Sequence, residues 1–211
     1  RPLPPRDPVS RKKRLLATGG SEITEEAVHR GLAYLARCQE PDGRWTFIHQ
    51  DNELTRSPRA RHRDDMGLTG LAILAFLGAD HRSDRQGPYR KHVTGGLDYL
   101  IANQDANGGL RGGGDMYSHG IATLALGEAA AATADRAYGD PAIQGAKFIV
   151  AAQNRLTGGW RYQPGEAGDT SVMGWQVMAL HSVSRLGVDV PPRVRRGALR
   201  WLSRVSRGRQ G

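Results

Sequence analysis

The 211-residue sequence predicts an all-α fold, an array of about seven helices paired as hairpins. Two interleaved repeats and the spacing of the apolar residues predict it. The first repeat reads "RGLAYLARCQEPDGRW" from Arg30, "GGLDYLIANQDANGGL" from Gly95 and "QGAKFIVAAQNRLTGGW" from Gln144. Gly31, Gly96 and Gly145 each precede a glutamine by eight residues: Gln39, Gln104 and Gln153. An aromatic residue follows each glycine by three, at Tyr34, Tyr99 and Phe148, and a glycine turn then leads to Trp45, Leu110 or Trp160. A fourth start, "RGALRWL" from Arg196, has Gly197 but no glutamine eight residues on. Self-similarity of this kind marks a repeat architecture.

The second repeat is "DMGLTGLAILAF" from Asp65, "DMYSHGIATLAL" from Asp115 and "DTSVMGWQVMAL" from Asp169. Each aspartate is followed by glycine after five residues (Gly70, Gly120, Gly174) and alanine after ten (Ala75, Ala125, Ala179). The unit is therefore a segment A followed by a segment B. Both carry apolar stripes at helical spacing, such as Val28, Leu32 and Leu35, or Val172, Trp175, Ala179 and Val183. No useful stretch alternates like a strand.

Taken in order, residues 1–20 are a basic, proline-containing linker, and residues 21–211 form the repeat domain, read as part of a larger chain. The first A helix is predicted over 24–39, with Thr24 as cap and Glu25 and Glu26 in the first turn. Residues 46–63 are a long polar loop, functional or mobile. B helices follow at 65–78, 116–133 and 170–186, and A helices at 88–104, 141–154 and 192–206. Asp65, Asp115 and Asp169 stand where N-caps belong, since a carboxylate accepts from the free first-turn N–H groups and suits the positive helix end. Each B-helix glycine costs roughly 1 kcal/mol against alanine, so three in register imply close helix approach. Gln39, Gln104 and Gln153 are read as structural: an amide carries donors and an acceptor for orphan groups at a neighbouring helix end. Trp45 and Trp160 are expected to cover those amides.

Arg30-Gly31, Tyr34, Gln39, Gly43 and Trp45 look like the QW motif of squalene and oxidosqualene cyclases. Over residues 24–205 the chain resembles the terpene cyclase and protein prenyltransferase superfamily, and in particular bacterial prenyltransferase/squalene oxidase repeat proteins. The resemblance implies an α/α toroid whose B helices line a central cavity; with about seven helices, this chain would be a partial or open one. It also implies an acid at the B-helix rim. Squalene–hopene-type cyclases carry Asp-x-Asp-Asp there, whereas this chain reads "HRDD", with His62 at the first acid position. Asp64, Asp65 and Asp169 are the candidate acids if the chain is catalytic. Carbocation chemistry also needs aromatic faces, and aromatic residues make up only 6% of the chain. Prenyltransferases hold zinc with Asp, Cys and His on these helices, and no B segment contains cysteine. Asp115 and His119 share a helix face four residues apart, either as a weak zinc pair or as a cap and a cavity-wall donor. No cofactor or metal is assigned.

Fold does not settle chemistry. The favoured reading is binding at the cavity rim, of a ligand or a polypeptide, by Asp115, Tyr117, His119, Arg161, Tyr162, Glu166 and Trp175. Four of these flank or lie in "GGWRYQPGEAGDTS", a loop of the kind that carries binding residues on a rigid scaffold. Alternatives are a squalene-type cyclase fragment and an assembly module that self-associates through open edges. The net charge of +9 sits at the ends, +5 in residues 1–20 and +7 in 191–211, leaving −3 between. The basic ends, including the stripe Arg193, Arg196, Arg200, Arg204 and Arg207, are suited to an anionic membrane surface or an acidic partner. They call for no specific nucleic acid. No run of eighteen apolar residues occurs. The expectation is a soluble domain tethered through an N-terminal segment, with the compartment unassigned.

Overall fold

The computed structural model describes residue 13, residues 15–47 and residues 64–206. The fold is all-α. Among the described residues there are seven helices of two turns or more and no strand: α1 (Glu22–Arg37), α2 (Asp65–Gly78), α3 (Arg90–Ala102), α4 (Met116–Thr133), α5 (Arg136–Ala152), α6 (Thr170–Ser184) and α7 (Pro192–Val205). The B segments α2, α4 and α6 pack side by side in one row, with α4 in the middle against both neighbours. The A segments flank the row. α3 packs on α2, and α5 on both α4 and α6. One apolar core runs from Leu32 of α1 to Trp201 of α7.

Two of the three B-row glycines explain the close packing, whereas Gly174 is exposed and a Cβ there would meet nothing within 4 Å among the described residues. A Cβ on Gly70 would lie 2.9 Å from Ile121 of α4, and one on Gly120 2.5 Å from Gln176 of α6. Side chains there would force the row apart, so the cost in helix propensity is offset by helix contact.

Several boundaries differ from the sequence reading. Ser21, not Thr24, caps α1; Thr24 is the third helical residue and closes a reciprocal capping box with Ser21. The cap of α2 is Asp64, whose side chain accepts from the Gly67 N–H, so Asp65 is the first helical residue. α5 begins at Arg136 behind the cap Asp135, and Pro141 lies inside it rather than at its start. Proline is tolerated there at the loss of one hydrogen bond to the Ala137 carbonyl.

The fourth A segment is shifted by one residue. Gln39 bonds the His92 carbonyl, Gln104 that of Pro141 and Gln153 that of Val194. Counting three residues on from each acceptor aligns Gly95, Gln144 and Gly197, rather than Gly96, Gly145 and Gly197. Trp201 then falls on the aromatic column of Tyr99 and Phe148, and it packs against Gly159 and Gly168. In α7, Val194, Ala198 and Trp201 are buried while Arg193, Arg196, Arg200 and Arg204 are exposed, as the arginine stripe predicts; Val205, expected on the apolar stripe, is exposed at the helix end. Arg207, His62, most of the 46–63 loop and all but the last residues of the predicted linker lie outside the described residues. No described helix is long and apolar enough to cross a membrane.

Candidate functional site

Two sets of polar residues stand out, one at the glycine turns and one at the B-row N-termini. At the turns the three glutamines do one job. Gln39 Nε2 donates to the Gly43 carbonyl at 2.8 Å and to the His92 carbonyl at 2.9 Å. Gln104 repeats this with Gly108 at 3.2 Å and Pro141 at 3.0 Å, and Gln153 with Gly158 and Val194, both at 2.9 Å. Each amide ties its own turn to the start of the next A helix. Gly43, Gly108 and Gly158 have φ of 92°, 86° and 82°, a region that favours glycine. A Cβ on any of them would overlap the backbone of Gly95, Gln144 or Gly197 respectively.

The indole N–H groups of the two tryptophans bond helix carbonyls, a role the sequence did not indicate. Trp45 Nε1 donates to the Leu35 carbonyl and Trp160 Nε1 to the Ile149 carbonyl, each at 2.8 Å. These carbonyls lie in the last turns of α1 and α5, where Leu35 also accepts from the Cys38 N–H at 3.1 Å, so the indole adds to the C-terminal cap of the A helix that precedes it.

His119, expected at the rim, is a scaffold residue with no exposed surface. Its Nδ1 accepts from the Leu110 N–H at 2.9 Å, and its Nε2 donates to the Gly145 carbonyl at 3.0 Å. Thr69, at the same repeat position, accepts from the Trp45 N–H at 2.9 Å. Burial lowers the His119 pKa to about 4, the Gly145 bond opposing and the Arg111 charge adding to the shift. Both ring nitrogens are committed, and neither faces a ligand. Among the described residues no three His, Cys, Asp or Glu side chains are grouped to hold a metal.

The B-row N-termini differ. Asp64, Asp115 and Asp169 cap α2, α4 and α6. Asp64 Oδ1 accepts from the Gly67 N–H at 3.2 Å and from the Ser118 hydroxyl, tying α2 to α4. Burial pushes its carboxyl above the ordinary aspartate value; Asp115 and Asp65 push the same way, and the two hydrogen bonds oppose. Asp65 lies 3.6 Å from Arg44 Nε. Asp169 is of opposite character. The Ser171 hydroxyl, followed by the Val172 and Ser171 N–H groups and the Arg161 charge, holds it below the ordinary value. It is held ionised at neutral pH and so has no proton to donate there, and the candidate trio of Asp64, Asp65 and Asp169 does not share one environment.

Over the α4–α6 end of the rim lies the loop from Gly158 to Asp169. The Met116 N–H donates to the Tyr162 carbonyl at 3.0 Å, holding the loop against the start of α4. Tyr162 lies 6.1 Å from the Tyr117 ring, and the Arg161 guanidinium 5.4 Å from the Tyr162 ring. The Tyr117 hydroxyl shares a hydrogen bond with Ser171, whose hydroxyl donates to Asp169 at 2.5 Å. Glu166 accepts from the Gln163 N–H at 3.0 Å, shaping the loop. Arg161, Glu166 and Ser171 are exposed, Tyr162 is 39% exposed, and Tyr117 and Trp175 are half-buried. Trp175 sits at the α4–α6 contact, beside Gly120.

Arg111, Gln163, Ser118 and Ser171 belong to this rim and escaped the sequence reading. Arg111 reaches Gln163 at 3.1 Å and covers the Phe148 ring at 5.7 Å. One signal was available: Arg111 and Arg161 both follow the turn residue that closes their unit. No protein-family model matches this chain, and no curated protein or solved structure resembles it closely enough to assign it to a family.

Proposed function

We propose that this chain is a binding domain on a helical-hairpin scaffold, and that it takes a ligand or polypeptide on the rim where the 158–169 loop crosses the starts of α4 and α6. One observation carries this reading. The polar groups of the glycine turns and His119 are consumed by the scaffold, whereas Arg161, Tyr162, Tyr117 and Ser171 form a connected cluster with exposed surface. Tyrosine and arginine are the residue types that dominate binding energy at interfaces. The similarity of the repeat to the terpene cyclase and prenyltransferase superfamily supports a toroid-type array and a rim at this end of the B helices. The test is native mass spectrometry of the protein purified from cells. A retained ligand or partner on the wild type that is lost from an Arg161→Ala/Tyr162→Ala variant supports the reading. Equal retention by the variant contradicts it.

A second reading, a squalene-type cyclase that uses Asp64 as its acid, is favoured by the raised pKa of that carboxyl. Incubation with squalene and with prenyl diphosphates, with and without zinc, separates the two. A cyclised or transferred product that disappears in Asp64→Asn would establish the enzyme.

A further inference from the structure

We infer that the cleft between α1 and the loop joining α2 to α3 binds a small zwitterion, with an ammonium and a carboxylate on one carbon as in an α-amino acid. The cleft lies at the C-terminal end of α2, opposite the rim at its start, and the inference is independent of the rim reading. Its volume of about 440 Å³ is that of a small-molecule site. Glu25 and His29 of α1 line one side. Asp80, His81, Arg82 and Arg85 of the loop and Arg90 at the start of α3 line the other.

Asp80 calls for a cationic partner. It follows the C-cap of α2 with φ of 67°, where glycine would sit without strain. An aspartate in that place puts a carboxylate on the cleft lining, with its side chain only 6% exposed. Oδ2 accepts from Arg85 Nη1 at 3.2 Å, but the buried Oδ1 has no hydrogen-bond partner among the described residues. A carboxylate oxygen can only accept, and buried ones are ordinarily paired. A charged donor bonds it about twice as strongly as a neutral one, so an ammonium group meets the need best.

The arginines supply the other half. Arg82 donates to Asp84 from Nε at 2.8 Å and from Nη2 at 2.5 Å. Arg85 donates to Asp80 from Nη1, and Arg90 to the Ser83 carbonyl from Nε at 2.9 Å. Each guanidinium has more N–H donors than these bonds use, so the bonds hold it in place and leave donors for an oxyanion. Histidines aside, Arg82, Arg85 and Arg90 are balanced by Glu25, Asp80 and Asp84. A balanced site favours neither a bare cation nor a bare anion; it complements a ligand that carries both charges. The contact of Arg85 with Asp80 sets the two receiving groups side by side, which suits an ammonium and a carboxylate on the same carbon.

The test follows backbone amide shifts of the isotope-labelled whole chain by NMR. The probes are L-alanine, L-lactate, which carries a hydroxyl in place of the ammonium, and ethylamine, which lacks the carboxylate. The expected result is saturable shifts in residues 79–87 with L-alanine, binding at least tenfold weaker for L-lactate and ethylamine, and no shift in residues 158–169. Asp80→Asn should weaken L-alanine binding at least tenfold, because its amide offers an N–H where the ammonium needs an acceptor. Asparagine tolerates a positive φ and still accepts from Arg85, and thermal melting establishes that the variant folds. Arg90→Gln, at an exposed helix start, should weaken binding at least fivefold. No saturable shift, shifts confined to residues 158–169, equal binding of L-lactate, or full affinity in either variant overturns the proposal.

Discussion

The glycine turns and the B-row rim lie in the same repeat units and are similarly polar, yet they spend their polar groups differently. At the turns every glutamine makes the same pair of bonds, and a positive-φ glycine lets backbone meet backbone. At the rim the three caps are alike in role but not in surroundings. Asp64 is raised by burial, while Asp169 is lowered by its hydrogen bonds. Around Asp169 stand the exposed side chains of Tyr162 and Arg161, whereas Asp65 faces Arg44. Uniformity across repeats marks the scaffold; the position that departs from the repeat carries the surface we propose for binding.

The largest expected effect is at a turn. Gly158→Ala combines a left-handed backbone with a clash against the Gly197 carbonyl. It should cost roughly 3 kcal/mol or more, read by chemical denaturation. An effect below about 1 kcal/mol would mean that the turn yields easily.

Acid titration sharpens the contrast inside the scaffold. The folded His119 pKa of about 4 lies below its ordinary value of 6.5, so the native state binds fewer protons than the unfolded chain between them. The stability from neutral His119 is complete above 6.5 and is lost as pH falls towards 4, by about 3 kcal/mol in all. His119→Thr, copying Thr69, should flatten that part of the stability–pH curve. A curve of unchanged slope would show that His119 is not the titrating group.

Gln153→Ala removes both bonds of one staple and leaves the Gly158 and Val194 carbonyls without that donor. A loss of roughly 2 kcal/mol is expected, since each unmade bond costs about 1 kcal/mol. Gln104→Ala should behave alike; a difference of several-fold between the two would break the equivalence of the repeats. Smaller still is Asp64→Asn, which keeps an N-cap acceptor and removes a half-buried charge. Because the folded carboxyl is raised, ionisation destabilises the fold as pH rises. The variant should therefore equal or slightly exceed the wild type at pH 7 in thermal melting, and a large loss would show that the Asp64 charge is needed.

Much of this architecture is legible in the sequence. The B helices were readable because aspartate, glycine and alanine recur at fixed spacing, and α4 runs over the predicted residues 116–133. The glutamine staple was readable as a role, though its acceptors were not, because they lie 37 to 53 residues away. Pro141 misled the start of α5, since proline favours a first turn but tolerates a position inside the helix. His119 misled the site reading: aspartate and histidine four apart share a helix face, but that spacing does not say whether the face meets solvent or core. The column of Thr69 and His119 held the answer, a single acceptor for a turn N–H met by two residue types. The cluster of Tyr117, Ser171 and Tyr162 depends on how a loop folds over two helix starts, which no periodicity encodes.

The central claim is that the turns hold the fold and the rim is free to bind. The most direct test is the unfolding free energy of Arg161→Ala/Tyr162→Ala beside that of Gly158→Ala, measured in the same denaturant. The account predicts that the rim variant stays within about 0.5 kcal/mol of the wild type, as exposed substitutions do, while the turn variant loses roughly 3 kcal/mol or more. A rim variant as damaged as the turn variant would show that Arg161 and Tyr162 are scaffold, and would contradict the account.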